Sequence, residues 1–281
     1  MNHHSIVDLH LHSTASDGML DPAALVAHVA SCGVRLMALT DHDTVAGVGA
    51  AAAAARDHGI GFVPGVEISV TWRGRELHVL GLAIDPAAPV LMRGLASQQE
   101  LRETRALGIA ERLQKAGAPG NEAMAAIRAT GSLPTRTHFA RALVALGAAA
   151  DIQTAFDRWL GRGRPGHVAS AWPELAEATG WITGAGGKAV IAHPMRYPLS
   201  GGARRELCAE FKDAGGAGIE VITGGGSVRD REQAISLAVR SGLEGSAGSD
   251  FHDPAIPWNP PGRLAKLPES IRPVWAGFPP A

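Results

Sequence analysis

Short apolar runs alternating with helix-like stretches set the pattern of the first hundred residues. Residues 5–12 alternate cleanly, with Val7, Leu9 and Leu11 on one side and Asp8, His10 and His12 on the other. This is the period of a strand whose outer face packs on helices while its inner face carries chemistry. Asp21-Pro22 offers an N-cap and a proline for the first helical position, predicting a helix from Ala23 to about Ser31 that stops near Gly33. Residues 35–39 read as a second strand, and the alanine-rich stretch 50–55 as a helix. Residues 61–66 give a third strand ending at Glu67, and residues 76–82 a fourth carrying His78.

Beyond an interruption the rhythm resumes, with strands at 189–192, 218–222 and 245–249. Seven strands separated by helices predict an α/β fold, a (β/α) barrel with its chemistry at the C-terminal strand ends. Residues 98–164 break the pattern: they read as several helices punctuated at Gly117-Ala-Pro-Gly120 and Gly131-Ser-Leu-Pro134. They are expected to form a helical insertion, a substrate cap, between barrel segments 1–97 and 165–281. The proline-rich tail after Asp253 is expected to wrap the surface.

Composition narrows the class without deciding it. With 46% hydrophobic and 19% charged residues the chain is globular. No apolar run is long enough to span a bilayer, and the two cysteines do not suggest a disulfide framework, so a cytoplasmic enzyme is expected. A net charge of −1 argues against a protein that coats long nucleic acid. The charge is uneven, however. Residues 101–165 hold ten Lys/Arg against five Asp/Glu, while the remainder holds sixteen against twenty-two. A basic segment beside an acidic body suits a small anionic substrate gripped from one side.

The chemistry gathers at the ends of the apolar runs. His10, His12 and Asp17 follow the first, His42 the second, Glu67 the third; His78 lies on the fourth, His193 ends a later one, and Asp250 and His252 close the last. Six imidazoles and three carboxylates form the mixed nitrogen and oxygen donor set that holds Mn, Fe or Zn. His10 and His12 share a strand face. Asp250 and His252 repeat that spacing, and the two pairs meet only if the first and last strands are neighbours. Carboxylates such as Glu67 and Asp250 can bridge two ions.

The ordered motifs Asp-Leu-His-Leu-His-Ser-Thr-Ala-Ser-Asp-Gly, Thr-Asp-His-Asp-Thr, Gly-Val-Glu-Ile-Ser, Ala-His-Pro and Gly-Ser-Asp-Phe-His resemble those of the polymerase and histidinol phosphatase (PHP) superfamily. The resemblance spans the chain outside the insertion. It implies a distorted seven-stranded barrel binding up to three divalent ions, manganese first and iron or zinc as alternatives. By motif, one ion would take His10, His12, Glu67 and Asp250; a second, Glu67, His78 and His193; a third, Asp17, His42 and His252. All nine positions match. Such a centre activates water as hydroxide against phosphorus, so no side-chain nucleophile is assigned.

Arg102 and Arg105, three apart on a helix-like segment, together with Arg136, His138 and Arg196, are the candidate grips for a second, uncleaved phosphate. The Arg136-Thr-His138 stretch resembles a TrpH-like branch of the family. That resemblance implies removal of the 3′-phosphate from nucleoside 3′,5′-bisphosphates, or stepwise 5′-to-3′ trimming of short oligonucleotides. A phosphatase for a metabolite such as histidinol phosphate and a non-catalytic metal-binding module are the rival readings. Of the remaining histidines, His3, His4, His28 and His58 are expected at the surface, and His167 is left open.

Overall fold

In a computed structural model, which describes residues 6–256 and 259–278, seven strands form one sheet in chain order. They are β1 (Val7–Asp8), β2 (Leu36–Leu39), β3 (Gly61–Trp72), β4 (Arg75–Leu82), β5 (Lys188–Ile191), β6 (Gly218–Thr223) and β7 (Glu244–Gly248). β1 to β3 and β5 to β7 pair in parallel, but β4 is antiparallel to both its neighbours. The third strand does not stop at Glu67. It runs on to Trp72 and turns at Arg73-Gly74, whose positive φ values of 48° and 71° suit a two-residue hairpin. Because β4 runs backwards, it delivers His78 from its first half to the same end of the sheet that the parallel strands reach with their last residues.

The first strand is shorter than its alternation predicts. After Asp8 the ladder gives way to mixed bonds: Leu9 N–H donates to Ala247 O, Leu11 N–H to the Thr40 hydroxyl, His12 N–H to Phe251 O, and Asp250 N–H to His10 O. Three of these bonds lace the chain after β1 to β7 and the segment that follows it, and the one to Thr40 ties it to the end of β2. The sheet is thus a nearly closed, distorted barrel, and His10 and His12 sit where the first and last strands meet.

Helices form where the local signals place them. Asp21 caps α1 (Pro22–Ser31) by accepting from Ala23 and Ala24 N–H, and Gly33 beyond it takes a positive φ. α2 spans Val48–His58; α7 (Leu175–Gly184), α8 (Gly201–Asp213) and α9 (Val228–Ser241) follow the later strands. The tail after Asp253 does more than cover the surface. Gly245 N–H donates to Arg272 O and Val274 N–H to Gly245 O, and Val274 is fully buried. His28 is likewise not a plain surface residue, since its ring stacks on Phe251. His3 and His4 lie outside the described residues.

The chain divides into two compact units, one of residues 1–95 with 173–281 and the other Ala96–Trp172. The boundary falls inside the long helix α3 (Pro89–Lys115). The second unit is helical: α3 continues into it, followed by α4 (Gly120–Thr130), α5 (Arg136–Ala145), α6 (Ile152–Ala155) and a π-helical turn at Phe156–Leu160. It has its own apolar centre, in which Phe139, Leu143, Leu113 and Leu160 are fully buried. Replacing Phe139 by alanine is expected to destabilise the protein by about 3–5 kcal/mol, measured by chemical denaturation. A loss below about 1 kcal/mol would show that the helices do not rely on this centre.

Candidate metal centre

Glu67 sits in mid-β3, fully buried, and both its carboxylate oxygens face imidazoles. Oε2 lies 3.2 Å from His10 Nε2, 3.2 Å from His12 Nε2 and 3.1 Å from His42 Nδ1. Oε1 lies 3.0 Å from His78 Nδ1 and 3.1 Å from His193 Nε2. Asp250 Oδ1 approaches His10 Nε2 and His12 Nε2 at 3.3 and 3.2 Å. Asp17 Oδ1 lies 3.3 Å from His252 Nε2 and 4.0 Å from both His12 Nδ1 and His42 Nε2. All nine donors named from sequence therefore meet in one place.

Three overlapping groups of donor atoms are close enough to share an ion each: His10, His12, Glu67 and Asp250; His42, Glu67 and His78; and His12, Asp17, His42 and His252. The first is the set expected by motif. In the others His12 and His42 stand between neighbouring groups, while His193 faces the same Glu67 oxygen as His78.

The fit to cations rests on atoms left over by the protein. His10 Nε2, His12 Nε2, His42 Nδ1, His78 Nδ1 and Glu67 Oε2 are all buried without a hydrogen-bond partner. Buried donors and acceptors are ordinarily satisfied, and five left over on facing groups point at a missing common partner. Divalent ions suit nitrogen and carboxylate oxygen donors of this kind.

The comparisons with known proteins agree with this geometry. The profile of the PHP domain matches residues 8–177. This chain belongs to the PHP domain family. It is 44% identical to a 3′,5′-nucleoside bisphosphate phosphatase of Chromobacterium violaceum, covering 96% of this chain and 95% of that one. It is 43% identical to a 5′-3′ exoribonuclease of Haemophilus influenzae, over 96% and 98% of the two chains. Among solved structures, an amidohydrolase from Chromobacterium violaceum with bound sulfate and no metal superposes with a TM-score of 0.91 at 44% identity, over 96% and 95% of the chains.

The rest of this PHP site is built to hold its donors in one orientation. Glu220, fully buried on β6, accepts from His10 Nδ1 at 2.9 Å and from His193 N–H at 2.5 Å. The first bond keeps a proton on His10 Nδ1, so that the neutral, ion-binding imidazole would present the Nε2 lone pair towards Glu67. His252 is fixed likewise, Nδ1 lying 2.9 Å from Asp250 O, which leaves Nε2 facing Asp17. Asp41 accepts from Ser13 N–H, Ser13 Oγ and Ser16 Oγ at 2.6–2.7 Å, which pins the loop carrying Asp17. Gly248 packs so closely that a Cβ there would run into His10 Cβ and Glu220 Oε1. His193 and Asp250 hold positive φ values of 30° and 55°. Such strain costs about 1–3 kcal/mol each and collects where function requires a set side-chain direction.

Glu220 was not singled out from sequence. Its signal was there: Gly218-Ile-Glu-Val-Ile-Thr223 is an apolar strand with one carboxylate in its middle. Arg196 was expected to grip phosphate, but its guanidinium donates to Asp250 Oδ2 and Gly224 O, so two of its arms steady the centre. In the helical unit, Arg102 and Arg105 do share a face: their guanidinia lie 5.1 and 5.2 Å from the ring of Trp172. His138 forms a capping box with Thr135 at the start of α5, where Arg136 is the first residue. His167 also lies in this unit, its carbonyl accepting from Arg112.

Without cations, protons do part of their work. Burial alone would push His12 down, but the Asp250 and Glu67 carboxylates beside it carry it up to about 10. His10 is raised well above the usual range against the same burial penalty, by Glu67, Glu220 and Asp250. Burial pushes Glu67 up, yet His10, His42 and His78 hold it well below the ordinary carboxylate range. Burial keeps His42 and His193 on the low side.

Two measurements follow. Glu220→Gln is expected to weaken divalent-ion binding about 10–100-fold in calorimetric titration, because it releases the His10 tautomer; unchanged affinity would remove Glu220 from the account. In chelated protein, the stability supplied by protonated His12 is fully present below its ordinary pKa of 6.5 and lost as pH rises through about 10. Melting temperature should therefore fall over that interval in chelator and hold steadier with Mn²⁺. Parallel curves would contradict this.

Proposed function

We propose that this chain is a metal-dependent phosphoesterase that hydrolyses small nucleotides, removing the 3′-phosphate of nucleoside 3′,5′-bisphosphates and trimming short 5′-phosphorylated oligonucleotides. The observation that carries the reading is Glu67, with five imidazole nitrogens on its two oxygens, in a chain end-to-end similar to a bisphosphate phosphatase and an exoribonuclease.

Up to three divalent ions would be held by His10, His12, Asp17, His42, Glu67, His78, His193, Asp250 and His252; manganese suits this set, with iron and zinc as alternatives. When bound, such ions supply Lewis acidity and lower the pKa of water towards neutrality. The protein's own part is orientation. Glu67 and Asp250 place negative charge between the imidazoles, Glu220 and the Asp250 carbonyl set the tautomers of His10 and His252, and Arg196 holds Asp250 in place. Because the donors are fixed before substrate arrives, little reorganisation accompanies the build-up of charge on phosphorus oxygens.

The helical unit is the substrate cap in this reading. Arg102, Arg105, Arg136 and His138 bind the phosphate that is not cleaved, a role supported by the guanidinium pair over Trp172 and the basic excess of residues 101–165. Among the described residues no helix is long and apolar enough to cross a membrane, and Cys32 and Cys208 are free thiols. Free thiols fit a cytoplasmic setting.

The decisive assay compares adenosine 3′,5′-bisphosphate with histidinol phosphate under Mn²⁺. The bisphosphate is expected to be the better substrate by kcat/KM, and preference for histidinol phosphate would reject the nucleotide reading. Asp250→Asn and His42→Asn should each lower kcat by at least about a hundredfold with the fold retained. Full activity in both would reject the metal centre as the catalytic site.

A further inference from the structure

Two cavities of the barrel unit, beside the donor cluster, are unexplained by removal of one phosphate. The first, of about 570 Å³, begins at His193 and Arg196 and is walled by the loop Gly224-Gly-Gly-Ser227, the first turns of α9 and the segment near Arg263. The second, of about 520 Å³, lies between α8 and α9 and is lined by Arg204, Arg205, Arg229 and Arg240. Met195 borders both and α9 contributes side chains to both, so the two cavities adjoin, and the first of them reaches the donor His193.

Their charge is one-sided. The first contributes Arg196, Arg231 and Arg263, so among the described residues seven arginines line the two compartments, with Asp230 and Glu232 as the only carboxylates. Asp230 is committed to Ser227, which it caps at the start of α9. Among the described residues no carboxylate pairs with Arg205, Arg229, Arg231 or Arg263. This concentration stands out in a barrel unit that is acidic outside residues 101–165. Unpaired guanidinium forks along a groove match a polyanion with regularly spaced phosphates.

Size and lining favour a nucleotide chain over a lone anion. Each compartment falls in the range that encloses a ligand of nucleotide size, far more than a phosphate group needs. Apolar side chains line the cavities beside the arginines: Met195 and Val228 offer surfaces against which bases can pack. Asn259, nine-tenths buried at the first compartment, uses Nδ2 on the Ser249 and Asp250 carbonyls and keeps Oδ1 without a partner, an acceptor for a sugar hydroxyl or a base amine. Gly224 is required here, since a Cβ would collide with Ser249 O and close the groove wall.

We infer that this arginine-lined groove binds the 3′ continuation of a single-stranded oligonucleotide, the portion beyond the phosphate placed at the metal centre. The inference rests on the proposed nucleotide phosphoesterase reading and deepens it: the leaving group in both reactions is the 3′-oxygen of the 5′ nucleotide, and the barrel unit carries two nucleotide compartments for the chain that stays attached to the reacting phosphate, which a bisphosphate leaves empty and an oligonucleotide fills. The enzyme is in this sense shaped for a chain substrate, with the bisphosphate as its shortest form.

The test uses the metal-loaded full chain and the triple variant Arg205→Glu, Arg229→Glu, Arg240→Glu, none of which belongs to the donor cluster. The variant should keep kcat/KM on adenosine 3′,5′-bisphosphate within about twofold. It should lose about tenfold or more on a short 5′-phosphorylated oligoribonucleotide, with the salt dependence flattened by about 0.7 in logarithmic slope per contact removed. Anisotropy with a phosphorothioate oligoribonucleotide should show the same loss in binding. Unchanged oligonucleotide binding and turnover would overturn the groove, as would an equal loss on both substrates. If the wild type turned over neither substrate, the phosphoesterase reading would fail, while the anisotropy comparison would still judge the groove. Should the reversed charges impair folding, the triple alanine variant gives the same contrast.

Discussion

Both oxygens of one buried carboxylate, Glu67, lie within 3.2 Å of imidazole nitrogens drawn from five separate histidines. Bringing so many polar groups out of water carries a large desolvation cost, and lone pairs facing lone pairs repel. The arrangement becomes favourable only when positive charge sits among these atoms. In the ion-free protein, protons on His10 and His12 supply part of that charge; divalent ions supply it more fully. The rest of the barrel can be understood as the frame that keeps this convergence from relaxing.

That frame is polar as well as apolar. Glu220 ties His10 to the backbone of His193, Asp41 gathers Ser13 and Ser16, and Asp8 accepts from Ser249 N–H at 2.9 Å, each at a seam between strands. Burial pushes Asp8 up to about 6, the mark of a carboxyl held in the core for geometry and not for solvation. Left-handed backbone at His193 and Asp250 is a further cost accepted for direction. The groove between α8 and α9 extends the same logic outward, with a positive centre continued by unpaired arginines.

Much of the site was legible because donor spacing follows strand periodicity. His10 and His12, two apart, and Asp250 and His252, two apart, reached the same cluster once the ends of the sheet met. The antiparallel β4 was not legible: a short apolar run carries no direction, and only the Arg73-Gly74 hairpin, set by two positive φ values, reveals it. Glu220 escaped notice because it coordinates through another side chain, and its meaning exists only once His10 is beside it. Arg196 shows the same limit: its position next to a ligand suggested substrate contact, and only the folded chain shows that two of its N–H groups donate to Asp250 and Gly224 O.

The most direct measurement is the number of Mn²⁺ ions retained by the purified, folded chain, determined by elemental analysis and repeated for Glu67→Gln. The account predicts more than one ion per chain in the wild type and a loss of binding at more than one position from this single change, since Glu67 faces donors on both oxygens. A wild-type chain that retains no ion, or a Glu67→Gln chain with undiminished stoichiometry, would contradict it.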